Sequence, residues 1–144
     1  MTVTVRQVRC VDELDTCLAI REAVFIQEQR VTPELERDGL DGACRHYLAK
    51  RAGTPVGTAR VRRIGRAAKI QRVAVLATER GRGIGFALMQ AILSDLETDR
   101  ETDEAVLDSQ LSAIGFYVAL GFMAEGPEFM DAGIAHRHMR RRLG

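Results

Sequence analysis

Tryptophan is absent from this chain, aromatic residues make up only 5% of it, and proline occurs three times. No apolar run approaches the roughly 18 residues that a bilayer span requires, so a membrane helix is not expected. The opening segment, residues 1–16, lacks the basic-then-apolar order of a secretory signal. Cysteine is also scarce. Cys10, Cys17 and Cys44 form neither a CxxC pair nor an even disulfide set, and no histidine lies at zinc-ligand spacing from a cysteine pair. The expectation is idle or buried thiols in a reducing, cytoplasmic compartment, with no metal. An excess of one charge is missing as well: 21 Lys and Arg face 20 Asp and Glu. A formal net charge of +1 gives no bulk attraction for nucleic acid or an anionic membrane.

What is present suits one domain over residues 1–144, with 46% hydrophobic and 28% charged residues. Val3, Val5 and Val8 suggest a first strand. Asp12 is placed as the cap of a helix carrying Leu14, Leu18 and Phe25 at helical spacing and ending near Gln29. Residues 32–42 contain Pro33, two glycines and Glu34, Glu36, Asp38 and Asp41. That is loop composition, either simply solvated or a negative surface for a cationic amine. Three strands follow as an antiparallel meander: HYLAK, VGTARVRRI and KIQRVAVL. A helix from Ile84 to Leu96, a strand AVLDS, a helix around Ile114 to Leu120 and a final pair near Phe122 to Glu125 and Ile134 to Arg142 complete the order. It predicts an α+β fold with helices on both faces of a mixed sheet. The strands Lys69 to Leu76 and Ala105 to Ser109 should be parallel, because a crossover helix joins them.

The segment that decides the functional reading is QRVAVLATERGRGIGFALMQAIL, from Gln71 to Leu93. Glycines at Gly81, Gly83 and Gly85 run straight into a helix, where each costs roughly 1 kcal/mol relative to alanine. A helix start bared of side chains presents unpaired N–H groups and about half a positive charge, a preformed anion site. Spacing separates the uses of that physics. A dinucleotide fingerprint GxGxxG would need a glycine at Phe86, and a GxxxxGK[ST] loop would need Gly-Lys at Phe86 and Ala87.

Val73-Ala74-Val75 followed by Arg80-Gly81-Arg82-Gly83-Ile84-Gly85 instead resembles the coenzyme A signature [RQ]xxGxG/A of the GNAT family of N-acetyltransferases. AIGFYVALGF resembles the second hallmark of that family. The patterns FxxEQ (Phe25 to Gln29), ExDGxD (Glu36 to Asp41) and FxDxGIxHxxM (Phe129 to Met139) are similar to a subgroup of small stand-alone acetyltransferases with few assigned substrates. The resemblance covers nearly the whole chain. It implies the GNAT fold: a central, mostly antiparallel mixed sheet of six to seven strands with a splayed parallel pair.

It further implies that the diphosphate of acetyl-CoA, the co-substrate, lies on the amides of Arg82, Gly83, Ile84 and Gly85. The pantetheine arm would pair with the backbone of Val73 and Val75, beside Ala74, and Phe116 would contribute to the same site. Arg80 and Arg82 would reach phosphate oxygens or remain in solvent, and Arg72 could equally pair with the acidic loop. Tyr117 becomes the general acid for the departing thiolate. Ser109 and Ser112 suit a helix cap better than a cofactor contact. The base stays open among Glu28, Asp108, His46 and His136, or a water. The tail HRHMRRRLG lacks interleaved aromatics and is expected on an edge strand, where charge deters aggregation, so nucleic acid is not expected as a partner. The acceptor is an amine of a small molecule, peptide or protein, and a homodimer stays open. The rival reading is a catalytically silent acyl-CoA sensor, and a third is a nucleotide-binding α/β protein.

Overall fold

Strand β1 (Val3–Gln7) alternates half-buried and exposed side chains, the period of two that a sheet edge with one packed face imposes. It opens a seven-stranded sheet in a computed structural model that describes residues 2–144. The other strands are β2 (Arg45–Arg51), β3 (Thr54–Ile64), β4 (Ala67–Val75), β5 (Glu104–Gln110), β6 (Met123–Asp131) and β7 (Ile134–Arg142). Their order in space is β1-β2-β3-β4-β5-β7-β6. Every neighbouring pair is antiparallel except β4–β5, which is parallel as the crossover predicted. Among the described residues no helix is long and apolar enough to cross a membrane.

Helix α1 (Val11–Arg21) runs without interruption into a π-helical segment, Glu22–Glu28. Together they bury Cys17, Ile20 and Val24 against Leu48 and Ala74 on one sheet face. The opposite face receives α3 (Ile84–Thr98), whose Ile84, Leu88, Met89, Ile92 and Leu96 are almost fully buried. Each such side chain contributes about 1.5–3 kcal/mol, which outweighs the poor helix propensity of Gly85 at the start. Two short helices, α2 (Pro33–Glu36) and α4 (Ile114–Val118), sit at the ends of the loops they close.

Several expectations require correction. Asp12 does not cap α1: Cys10 holds the cap position without a side-chain bond, and Asp12 lies in the first turn, where its charge suits the helix dipole. Neither Ser109 nor Ser112 caps α4, which has no side-chain cap; the Ser109 hydroxyl donates to the Gln110 carbonyl at 2.8 Å. The basic tail is not on an edge. Strand β7 is paired on both sides, by β5 and by a β6 longer than expected. Arg140 is bound by carboxylates on both neighbours, Glu104 and Glu125, while Arg137 donates to the Gly126 carbonyl and Arg141 faces Glu97 of α3. The edge at this end is β6, protected by Pro127 and by a break in register between Glu125 and Phe129.

Candidate functional site

The parallel ladder between β4 and β5 lasts three residues, from Ala67↔Glu104 to Lys69↔Val106. Beyond it the strands diverge, and a cleft of about 450 Å³ opens between Ile70–Val73 on one side and Leu107–Gln110 on the other. The cause is local to β4. Arg60 pairs with Gln71 but Thr58 pairs with Ala74, so Arg72 and Val73 together oppose one residue of β3. Such a bulge bends and twists its strand. Arg72 takes φ 55°, a left-handed conformation that an arginine adopts only when its surroundings hold it. They do: its Nε donates to Glu36 at 2.9 Å, and its Nη2 donates to the carbonyls of Leu35 and Glu36 at 3.2 and 3.1 Å. Of its two readings, Arg72 is therefore the partner of the acidic loop.

Three of the four carboxylates of that loop are held by arginines. Glu36 is 1% exposed, and Arg21 and Arg60 beneath it are fully buried. Arg21 grips Glu36 at 3.0 and 3.1 Å and Asp41 at 2.7 Å. Arg60 donates to Asp38, Asp41 and Gln71. Glu36, Asp38 and Asp41 thus face the guanidinium groups of Arg21, Arg37, Arg60 and Arg72, which offsets most of the negative surface proposed as bait for a cation and leaves Glu34 exposed. Hydrogen bonding from Arg60 holds the Asp38 carboxyl far below the ordinary carboxylate range.

At the far end of β4 the Leu76 N–H donates back to Val56, so the preceding carbonyl, that of Val75, turns to the open side. Arg80 reaches it with Nε at 3.1 Å, and Nη2 of the same guanidinium bonds Glu28 at 2.7 Å. Val73 and Val75 are half-buried, while Ala74 packs under α1. The chain then turns through Gly81 (φ 80°) and Gly83 (φ 79°), the latter being the N-cap of α3. A Cβ at either would meet nothing within 4 Å, so these two are glycine for their left-handed backbone, and the space around them is open. The first helical bond is Ala87 N–H to Gly83 O, which leaves the N–H groups of Ile84, Gly85 and Phe86 without a helical acceptor. Buried Ile84 anchors this turn, and the Arg82 guanidinium stands 3.9 Å from Glu79. Gly85 differs: its backbone is ordinary, and an added Cβ would lie 3.5 Å from the Phe116 ring. Phe116 thereby links the two motifs. An open, amide-lined cradle beside the free end of β4 fits a diphosphate and its tether.

Tyr117, one residue on, lines the cleft at 9% exposure, its ring packed edge-on against Phe116 (4.9 Å) and Phe122 (6.0 Å). Burial pushes its phenol up to about 12, so the hydroxyl keeps its proton at neutral pH. Gln29 of the FxxEQ pattern also reaches the cleft, through the π-helical backbone, and accepts a bond from Gln110 at 3.0 Å. Of the four base candidates, two face the cleft and two do not. His46 is buried with Nε2 bonded to the Asp41 carbonyl, and Glu28 is tied to Arg80 outside the cleft. Asp108 lines the cleft but is engaged by His138 at 2.9 Å and Lys69 at 3.0 Å. Burial alone would raise its carboxyl, yet these two hydrogen bonds prevail and hold it below the ordinary range. His136 is the fourth, and it lines the cleft from β7.

The family model for the acetyltransferase (GNAT) domain matches residues 11–143. The chain belongs to this family. Among its relatives is the uncharacterized N-acetyltransferase YjcF of Bacillus subtilis, 33% identical over 131 residues that cover 90% of this chain and 93% of that protein. Escherichia coli ElaA superposes with a TM-score of 0.85 at 27% identity, covering 97% of this chain and 99% of that one. An acyl-CoA N-acyltransferase from Pseudomonas aeruginosa gives 0.86 at 28%, with the same coverage. As a GNAT protein the chain is an acyl-CoA-dependent acetyltransferase, and the family uses acetyl-CoA.

Within this GNAT domain Gly83 and Gly85 are separable by experiment. Gly83→Ala should cost about 1–2 kcal/mol through left-handed strain and diminish the thermal stabilisation given by coenzyme A. Gly85→Ala should leave that stabilisation intact and raise the midpoint slightly, since alanine favours the helix by up to about 1 kcal/mol. Thermal unfolding with and without coenzyme A reads both effects.

Proposed function

We propose that the protein transfers an acetyl group from acetyl-CoA to a primary amine of a small molecule, peptide or protein, by direct attack within the β4–β5 cleft. The observation that carries this is a chain of neighbours: Gly85, at the bare start of α3, lies against both Val75, whose carbonyl turns outward, and Phe116, and the next residue, Tyr117, lines the cleft with its hydroxyl protonated. The amides of Gly83, Ile84 and Gly85 would hold the diphosphate, with Arg80 and Arg82 at its flanks. The Val73 and Val75 backbone would hold the pantetheine arm as an added strand, with Ala74 keyed into the core behind it and Phe116 alongside. When bound, the thioester supplies an acyl carbon open to attack and a sulfur able to leave.

The residues do the rest. An extended residue turns its N–H and carbonyl to one side, so the Val75 N–H shares the open edge and can donate to the acyl oxygen as charge gathers there. Tyr117 donates its proton to the departing sulfur, whose thiol has a reference pKa near 8.5. The C–N bond forms, the C–S bond breaks, and the proton lost by nitrogen balances the one delivered to sulfur. Release of free thiol from acetyl-CoA across a panel of primary amines tests the reading. Coenzyme A, but not NAD or ATP, should raise the unfolding midpoint, because a ligand selective for the folded state stabilises it. Binding without thiol release on any amine would leave the silent acyl-CoA sensor in its place.

A further inference from the structure

His136 is nine-tenths buried on β7 and lines the cleft. Its Nδ1 lies 2.7 Å from the carbonyl oxygen of Ile134. A carbonyl can only accept, so Nδ1 carries the hydrogen, and in the neutral ring the lone pair is left on Nε2. The ring cannot easily rotate out of this state, because Phe129 stacks on it at 5.9 Å and 24°. Pairing of His136 with Gln110 sets it beside the diverging end of β5.

The charged groups around the cleft are already committed to one another. Asp108 is bonded by His138 and Lys69, and across the slot Glu36 and Asp38 are bonded by Arg72. Asp131, at the hairpin tip, is exposed. Nε2 of His136 receives a hydrogen bond from no described residue. It is a basic atom of fixed tautomer, on the strand that borders the slot away from β4.

We propose that His136 Nε2 accepts the proton of the acceptor amine as the C–N bond forms. The inference rests on the acetyl-transfer reading above and assigns the proton acceptor that the reading leaves open. Nitrogen becomes acidic as it gains its bond to the acyl carbon; its proton passes to Nε2 and from there to solvent, while Tyr117 supplies the separate proton taken by sulfur. The imidazolium holds one proton more than the resting ring and the phenolate one fewer than the resting phenol, so a single net transfer through water restores both without any further reactant.

His136→Asn tests the assignment, because its amide can still donate to the Ile134 carbonyl while nothing remains at the Nε2 position. The variant should keep the coenzyme A stabilisation of the wild type and lose 10²- to 10⁴-fold in kcat/KM for thiol release with glycinamide, n-butylamine or whichever panel amine the wild type uses. The wild-type pH profile of kcat/KM should carry an acidic limb that the variant lacks. A variant within threefold of wild type, with the limb intact, overturns the role of His136 and leaves the acetyl-transfer reading standing. A wild type that binds coenzyme A and turns over no amine overturns that reading and this inference together. Long-range proton–nitrogen spectra of the imidazole provide a check that needs no turnover: hydrogen on Nδ1 at pH 8 supports the assignment, and hydrogen on Nε2 refutes it.

Discussion

Glu36→Gln should lower the stability of this protein by about 3–5 kcal/mol, the range for removing one partner from a buried charge cluster. In a domain of this length that corresponds to a fall of roughly 10–15 °C in thermal midpoint. The substitution keeps the volume, so packing is not the cause. Glu36 is 1% exposed and its two oxygens accept from Arg21 at 3.0 and 3.1 Å, from Arg37 at 3.1 Å and from Arg72 at 2.9 Å. An amide there removes the negative charge beside the fully buried Arg21 and turns an N–H₂ toward guanidinium donors. Asp103→Asn is the control, since the Asp103–Arg66 pair is exposed on both sides and should leave the midpoint nearly unchanged.

The same cluster sets the response to acid. Arg60 lowers Asp38; at Asp41 burial opposes ionisation, but the bonds from Arg21 and Arg60 overcome it. Both folded-state values lie below the unfolded one, near 3.9, so the unfolded chain binds more protons as pH falls. Their stabilisation is complete above about pH 5 and is lost progressively below pH 4. Thermal midpoints measured from pH 7 to pH 3 should show the decline. Because Arg72 is held at its bulge by Glu36, loosening the cluster should also disturb the wall of the cleft.

Much of this arrangement was legible in the chain because it is local. The glycine spacing, the apolar period of α3 and the crossover that makes β4 and β5 parallel each depend on residues within one or two elements, and each was found where expected. What escaped depends on long-range meetings. The acidic loop reads as solvated until Arg21, Arg60 and Arg72, separated from Glu36 by 15 to 36 positions, are seen to close on it. The β4 bulge has no signature in RVAV itself; it exists because Thr58 and Arg60 pair out of step with Ala74 and Gln71. The π-helical turn that brings Gln29 to the cleft follows a helical sequence with no break. The tail appeared to be an edge because a hairpin's last strand usually is one, and only its return beside β5 makes it internal. His136 could be named from its histidine chemistry, but its tautomer needed the Ile134 carbonyl, two residues back along the same strand.

Tyr117→Phe should reduce kcat/KM for thiol release by 10²- to 10⁴-fold while leaving the fold and the coenzyme A stabilisation unchanged. The ring's packing against Phe116 and Phe122 survives the change, and no described residue bonds the hydroxyl, so its removal orphans no protein group. With a pKa near 12, the phenol does not surrender its proton to a thiolate before the C–S bond weakens. On the proposed mechanism the benefit would arise while negative charge builds on sulfur, beside a donor that burial keeps protonated and in place. A second readout isolates the group itself. Unfolded tyrosine ionises near pH 10 but Tyr117 resists until about 12, so it costs the native state stability as pH rises across that interval. The phenylalanine variant should lose stability less steeply between pH 10 and 12 than the wild type. If turnover is unaffected while the alkaline response changes, the hydroxyl is buried as described but takes no part in the transfer.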